Sequence, residues 1–586
     1  MKKQFLIIAL ALAATSLAAQ DWHYEYNEAE QTATVVSWDR WHDTDHGEAY
    51  GHDNCYEGDL VIPDKAPNGY AVTAIGPECF LECRNLTFIQ FPSTLKRIEE
   101  GAFMLCTALP EHLSFPASLE YIGSGAYSGC ISVRTLTIDD SDQTLTVAGS
   151  GMVYGAEFYN LESLETIYVG RNIVCEEPTL SLFGWQDHVK DITFGEKVTT
   201  LPAEVCINST GLKHVKLSNA ITVIPDRAFS GCEWLESIEY ADLTSIGEES
   251  FVDCRGLLSF NFPSTLKSIG VRAFDACENL SSQVVIPISV EHIGSQAFSG
   301  CNSVKQLTIE DSDRPLTVGT SGWNQTFVFS CFNQVEQVYI GRNVVCDEPE
   351  TPEVTLFAGF EHPFELTFGD LVTELPKEAC AYSAGLKKLT IGDGIKLIPE
   401  MAFCSCTGLE TFSLGRSVEA IGTSAFDGCF GLQQWYYHNS LKSIGSSAFY
   451  AYPMPYLNLG PSIEYIGEDA FAQSAIQEIT CQGTVAPVCE GWVFDGMSPL
   501  ATLYIPKGAK PAYENAECWK EFFAEEKVVE FTPTAIDAVE YNGNKLSHLT
   551  SHPSSSLWYT IDGRQLSGEP SSAGIYLHDG RAVVKK

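Results

Sequence analysis

Two groups of residues in this chain have side chains that could do chemistry. Residues 41–55 gather His42, Asp43, Asp45, His46, His52, Asp53 and Cys55. Imidazole, carboxylate and thiolate together are ligands for zinc and its neighbours. Their spacing matches no standard site, so the segment reads as a polar hairpin loop. Asp139, Asp140 and Asp142, and again Glu310, Asp311 and Asp313, could attract Ca²⁺. They lack the spaced ligands and the closing Glu of a calcium loop, so they read as solvated turns. The sequence has no nucleophile elbow, no His-Glu-x-x-His, no phosphate-loop Gly-Lys and no dinucleotide fingerprint. No catalytic residue, metal or cofactor is therefore expected.

The twenty cysteines look at first like a disulfide framework, but their phase argues against one. A phrase starting at Ile75 returns at Ile98, Ile122, Ile224, Ile246, Ile269, Ile293, Ile398, Ile421, Ile444 and Ile466, with weaker copies at Leu201 and Leu375. Adjacent copies are 22 to 24 residues apart and read Ile-Gly-x-x-Ala-Phe-x-x-Cys-x-x-Leu-x-x-Ile-x-Phe-Pro. An aromatic stands five residues after the start. At start + 8 stand Cys83, Cys106, Cys130, Cys232, Cys254, Cys277, Cys301, Cys406 and Cys429. Nine thiols in one phase form a ladder pointing one way, a poor approach for disulfides; each acts as a small buried hydrophobe. Cys481 and Cys489 lie outside the ladder and could pair.

The elements that carry this ladder follow from the same phrase. Ala-Phe-x-x-Cys-x-x-Leu has apolar residues three apart and predicts a short helical or 3₁₀ turn. Leu-x-x-Ile-x-Phe changes to alternation, so a strand follows, and Pro ends it. One coil cannot bury its own apolar side, whereas stacked coils share a continuous core. A whole block is also duplicated: Tyr168-Val-Gly-Arg-Asn returns as Tyr339-Ile-Gly-Arg-Asn at an offset of 171 residues (339 − 168). The expected fold is an α/β-type repeat solenoid of about 15–17 coils with a parallel sheet on one face.

The repeated phrase resembles the BspA-like leucine-rich repeat proteins of bacterial surfaces. The resemblance covers residues 58 to 531. It implies a solenoid used for protein contact or adhesion, without enzymatic activity, and fixes no ligand. Charge agrees with a protein partner. Subtracting 76 acidic from 35 basic residues leaves −41, which excludes a basic stripe for nucleic acid and disfavours anionic lipid. Lys2 and Lys3, an apolar run over 5–14 and small residues to Ala19 read as a cleaved signal peptide, so the mature chain is expected to be secreted or on the outer surface.

The expected organisation runs from signal peptide (1–19) to β cap (20–70), solenoid (71–485), capping segment with one amphipathic helix over 510–523 (486–531) and linker (532–556). The last segment, 557–586, resembles the C-terminal β-segment of Bacteroidetes-type secreted proteins, either a sorting signal or a structural tail.

Outward strand positions should carry any binding surface. Most read small and polar, from Gln90 and Thr137 through Thr390 and Ser413. The C-terminal coils concentrate aromatics. Trp435 and Tyr437 fall in the core phase, which leaves Tyr436 facing out. The candidate patch is Gln434, Tyr436, His438, Tyr452 and Tyr456, suited to a protein or glycan ligand on host or bacterial surfaces. The chain is expected to act as a monomer. The alternatives are a passive structural element of the envelope and, more remotely, a hydrolase.

Overall fold

The computed structural model describes residues 22–37, 56–149, 161–176, 181–319, 334–346 and 359–532, a few residues between these, and the backbone of short strands beyond residue 540. Two compact units are present, one of residues 1–221 with 238–240, the other of 222–237 with 241–586. Each is a stack of coils bearing parallel strands, about 18 turns in all and almost free of helix.

The expected helical turn does not form, and backbone conformation gives the reason. At start + 3 and start + 7 nearly every coil places a residue in the left-handed region. Glu78, Glu82, Glu249, Asp253, Met401, Ser405, Asp469 and Gln473 have φ between 52° and 58°. Two left-handed residues four apart stop an α-helix from propagating and leave two consecutive tight turns. The main-chain donors then split by parity. Cys79, Leu81 and Cys83 donate back to Gly76, Glu78 and Phe80, closing the turns. Glu78, Phe80 and Glu82 donate forward to the carbonyls of Glu100, Ala102 and Met104 in the next coil, each at 2.8 Å. The turn face is thus a second inter-coil ladder, with alternate N–H groups bonding within the coil and across it.

The aromatic at start + 5 stacks on its successor, as in Phe80–Phe103 at 5.0 Å, Phe274–Phe298 at 5.5 Å and Phe449–Phe471 at 5.5 Å. Rings at Phe158, Phe183, Phe332 and Phe357 extend this phase into the long coils of the duplicated block. That raises the turn count above the sequence expectation. In the two weaker copies Cys206 and Cys380 take the ring's place, and both are fully buried.

In the first unit a hairpin of His23–Asn27 and Thr32–Val36 joins the edge of a sheet that continues in parallel through Ala71–Ile75 to Ile173–Cys175. Gly58–Val61, expected in the cap, instead pairs with Leu86–Gln90 as part of the array. In the second unit the expected single helix over 510–523 is two short ones, Lys510–Glu514 and Lys520–Ala524. Tyr513, Trp519 and Phe522 are the buried side, and the Trp519 indole donates to Pro487 O. No described helix is long and apolar enough to cross a membrane.

Cys489 bonds Cys518, across 29 residues, and so ties the last coil to this cap. Cys481, expected as its partner, is a buried thiol at the end of the preceding strand, Glu478–Cys481, which belongs to another sheet. The 29-residue loop sets the expected contribution at about 3–4 kcal/mol by loop-closure entropy. Cys518→Ser should therefore open the cap before the array. Hydrogen exchange should show lost protection over 488–531 with the Thr411–Ser413 strand unchanged. Equal protection in both forms would count against that role.

Candidate functional site

The cysteine ladder proves to be hydrogen-bonded as well as apolar. Ladder thiols donate to the start + 5 carbonyl one coil back: Cys106 to Phe80 O at 3.0 Å, Cys130 to Phe103 O at 3.1 Å, Cys254 to Phe229 O at 3.2 Å and Cys429 to Phe403 O at 3.4 Å, with Cys406 on Cys380 O at 3.1 Å. Where a coil lacks the Cys, another donor does the same work. Ser209 reaches Phe183 O at 2.6 Å, Gln186 reaches Phe158 O at 2.8 Å, and Ser383 reaches Phe357 O. The ladder position therefore selects a buried donor. Sixteen cysteines among the described residues carry thiols rather than disulfides.

The acidic turns are occupied by structural bonds. Asp140 accepts from the Tyr168 hydroxyl at 2.8 Å, and Asp311 from Tyr339 at 2.7 Å in the duplicate. Burial, then the bonded carboxylate, pushes both phenols up to about 12. Asp142 pairs with Lys197, and Asp139 accepts from Ser114. Among the described residues no group of three or more His, Cys, Asp or Glu is placed to hold a metal. The His/Asp motif of 41–55 lies outside the described residues.

Two arginines, one within each duplicated block, brace neighbouring coils. Arg171 and Arg342 are 0% and 1% exposed. Arg171 donates to Asp139 O (3.1 Å), Ala117 O (3.1 Å), Leu119 O (2.7 Å) and Pro116 O (2.7 Å). Arg342 repeats this on Ile288, Val290 and Pro287. The following Asn172 and Asn343 accept from Thr199 N and Thr373 N one coil ahead, each at 2.8 Å. The Gly before each Arg is required, because a Cβ there would sit about 2.5 Å from Asp140 N or Asp311 Oδ1. The signal was present in the sequence as Gly-Arg-Asn at both ends of the 171-residue offset.

The outward strand row is in register. Ser413 pairs with Tyr436, Thr390 with Ser413, and Thr308 with Tyr339. Tyr168 and Tyr339 belong to this row too, although the sequence reading left them out of it.

Around the candidate patch, Trp435 and Tyr437 are core residues, 1% and 4% exposed, as their phase predicted. His438 and Tyr456 are half-buried at the surface, and the side chains of Gln434 and Tyr436 lie outside the described residues. Tyr452 is a correction. It is 2% exposed, because it stands at start + 8 of the Ile444 coil, the cysteine position. Its hydroxyl accepts from the Trp435 indole at 3.1 Å and donates to Tyr456 O at 3.3 Å.

This place is also a discontinuity in the sheet. Gln434–Tyr437 and Tyr456–Leu459 are both strands, yet they belong to different sheets. In preceding coils Glu410 N bonds Lys387 O and Gln433 N bonds Glu410 O; in the following one Gln477 N bonds Pro455 O. Pro455 occupies the next place in that series and has no N–H to give Gln433. Instead the Tyr437 hydroxyl reaches across to Asn458 O at 2.8 Å. The turn-face ladder continues unbroken here, with Phe426 N on Ala448 O and Phe449 N on Ala470 O, so the stack opens on one face only.

The BspA type leucine-rich repeat region model, in six copies, matches residues 73–203, 113–236, 176–305, 222–343 and 373–509. Among solved structures, a leucine-rich repeat protein from Bacteroides ovatus is 20% identical, with 89% of this chain and 100% of that chain covered and a TM-score of 0.34. A leucine rich cell surface protein from Faecalibacterium prausnitzii is 19% identical, with 72% and 95% covered and a TM-score of 0.21. The pneumococcal vaccine antigen PcpA is 14% identical, with 87% and 95% covered and a TM-score of 0.28. Among curated proteins none matches.

Proposed function

This chain belongs to the BspA type leucine-rich repeat family, and from that premise we propose that it is an exported, non-enzymatic binding protein whose ligand surface lies on the outward face around Gln434, Tyr436, His438 and Tyr456. The observation that carries the reading is a coincidence of position. After Thr390 and Ser413 the outward row reaches Tyr436 on the strand where the sheet is interrupted. Aromatic residues at an irregular sheet edge are what a partner can grip, whereas a plain row of hydroxyls offers little purchase. Export is supported by the apolar N-terminal run of the sequence and by the Cys489–Cys518 bond, which suits an oxidising compartment. The partner is a protein or glycan on host or bacterial surfaces, and the acidic charge selects against nucleic acid and anionic lipid.

Capture of matrix proteins and glycans by the mature chain tests the reading. Tyr436→Ala with His438→Ala should weaken the captured ligand's binding about tenfold or more, as expected for one aromatic hot spot. Neither residue stands at a ring or cysteine position of its coil, so the cysteine and ring ladders should stay intact. Unchanged affinity would move the site off this strand, and capture of nothing would favour a passive envelope element.

A further inference from the structure

The interrupted strand is not left bare. Tyr541–Asn542, beyond the C-terminal cap, pairs antiparallel with Gln434–Tyr437, setting Asn542 opposite Tyr436 and Tyr541 opposite Tyr437. Every other neighbour of strands in this sheet is a parallel strand of the array. A strand edge facing a missing rung presents unpaired N–H and C=O groups, and an added strand satisfies them through its own main chain. The edge exists here because Pro455 cannot supply the rung and because Tyr452 and Met454, both buried, fill the joint below it. We infer that the outer edge of Gln434–Tyr437 is a strand-acceptor site for an extended peptide, and that Tyr541–Asn542 is its intramolecular occupant. The site deepens the binding reading above by naming the kind of partner: a peptide segment read through its backbone, with Tyr436 beside it, which must displace the chain's own segment.

The pairing is main-chain, so proline is the discriminating substitution. In the full chain, Tyr541→Pro with Asn542→Pro should raise hydrogen exchange at Gln434–Tyr437 at least tenfold and leave Thr411–Ser413 protected. Tyr541→Ala with Asn542→Ala keeps both N–H groups and should leave exchange within about threefold of the parent. A labelled synthetic peptide of residues 536–547 should bind the proline variant at least tenfold tighter than the parent chain. Equal exchange in proline variant and parent, or no peptide binding to the variant, overturns the proposal. Saturating peptide added to the parent chain gives an independent reading. Exchange should rise at Tyr541 and Asn542 while Gln434–Tyr437 stays protected, and no change there overturns the proposal even if the proline variant unfolds. These readouts use the chain's own peptide, so failure to find an outside ligand leaves them intact.

Discussion

The array should unfold cooperatively in mild alkali, losing its β signal between about pH 9 and 11, where buried thiols hold protons that free thiols release. Burial pushes the thiols of Cys130 and Cys406 up to about 12 and raises those of Cys254, Cys277, Cys380, Cys429 and Cys481 as well. An unfolded cysteine ionises near 8.5. Above that pH the unfolded chain therefore binds fewer protons than the folded one, and stability falls as pH rises. The stabilisation is complete below the unfolded value and lost on approach to the folded one. Each such thiol costs roughly 1.4 kcal/mol per pH unit inside that window, so three or four in one cooperative segment remove most of a typical folding free energy within two units.

Tyr168 and Tyr339 act in the same direction at higher pH, from about 10 to about 12. Circular dichroism against pH measures the transition. Cys254→Ser with Cys277→Ser should move it upward, because serine keeps the ladder bond without titrating in this range. Ser209 and Ser383 already hold that position in the weaker coils. A β signal undiminished at pH 11.5 would sink the account. The same burial predicts thiols unreactive in the native protein and free once it is denatured.

The coil was legible in the sequence wherever one residue type repeats in one phase. The ring and thiol ladders, the strand after them and the core phase of Trp435 and Tyr437 all follow from spacing alone. The turn was misread because apolar residues three apart fit both a 3₁₀ helix and two tight turns. What separates them is the left-handed backbone at Glu78, Glu82 and their counterparts, positions occupied by Glu, Asp, Ser, Met and Gln more often than by Gly. Inter-coil hydrogen bonds hold those residues in a conformation their side chains do not favour, and no local signal records this.

Tyr452 was assigned to the surface by its chemistry, although its phase placed it in the ladder; phase won because the joint left by Pro453 and Pro455 admits a ring where other coils admit a thiol. Cys518 was not seen as the partner of Cys489 because it lies in the cap, outside the repeat, where phase says nothing.

Arg171→Met and Arg342→Met should be the most destabilising single changes in the duplicated blocks, each costing about 3–5 kcal/mol. A guanidinium offers five N–H groups in a fixed fork. In Arg171 four bonds converge on carbonyls from Pro116, Ala117, Leu119 and Asp139, turns that lie one and two coils back. Burial lowers its pKa, yet an arginine stays charged far above neutrality, so the carbonyl dipoles and nearby Asp139 must balance that charge. Met matches the stem and supplies no donor. It leaves buried oxygens without partners and removes a side-chain tie that spans two coils. Lys keeps the charge but presents one ammonium, which cannot reach carbonyls spread around a fork, so Arg171→Lys should fall between the parent and Met.

The two arginines lie in different compact units, and each bonds only within its own. Arg171→Met should therefore lower protection against exchange across Leu113–Phe194 and leave the second unit unchanged, while Arg342→Met should affect 283–368 and spare the first. Urea unfolding of each variant measures the loss. A loss below about 1 kcal/mol, the worth of one ordinary hydrogen bond, would show that the carbonyls find other partners and that the Gly-Arg-Asn turn does not hold the duplicated coils together.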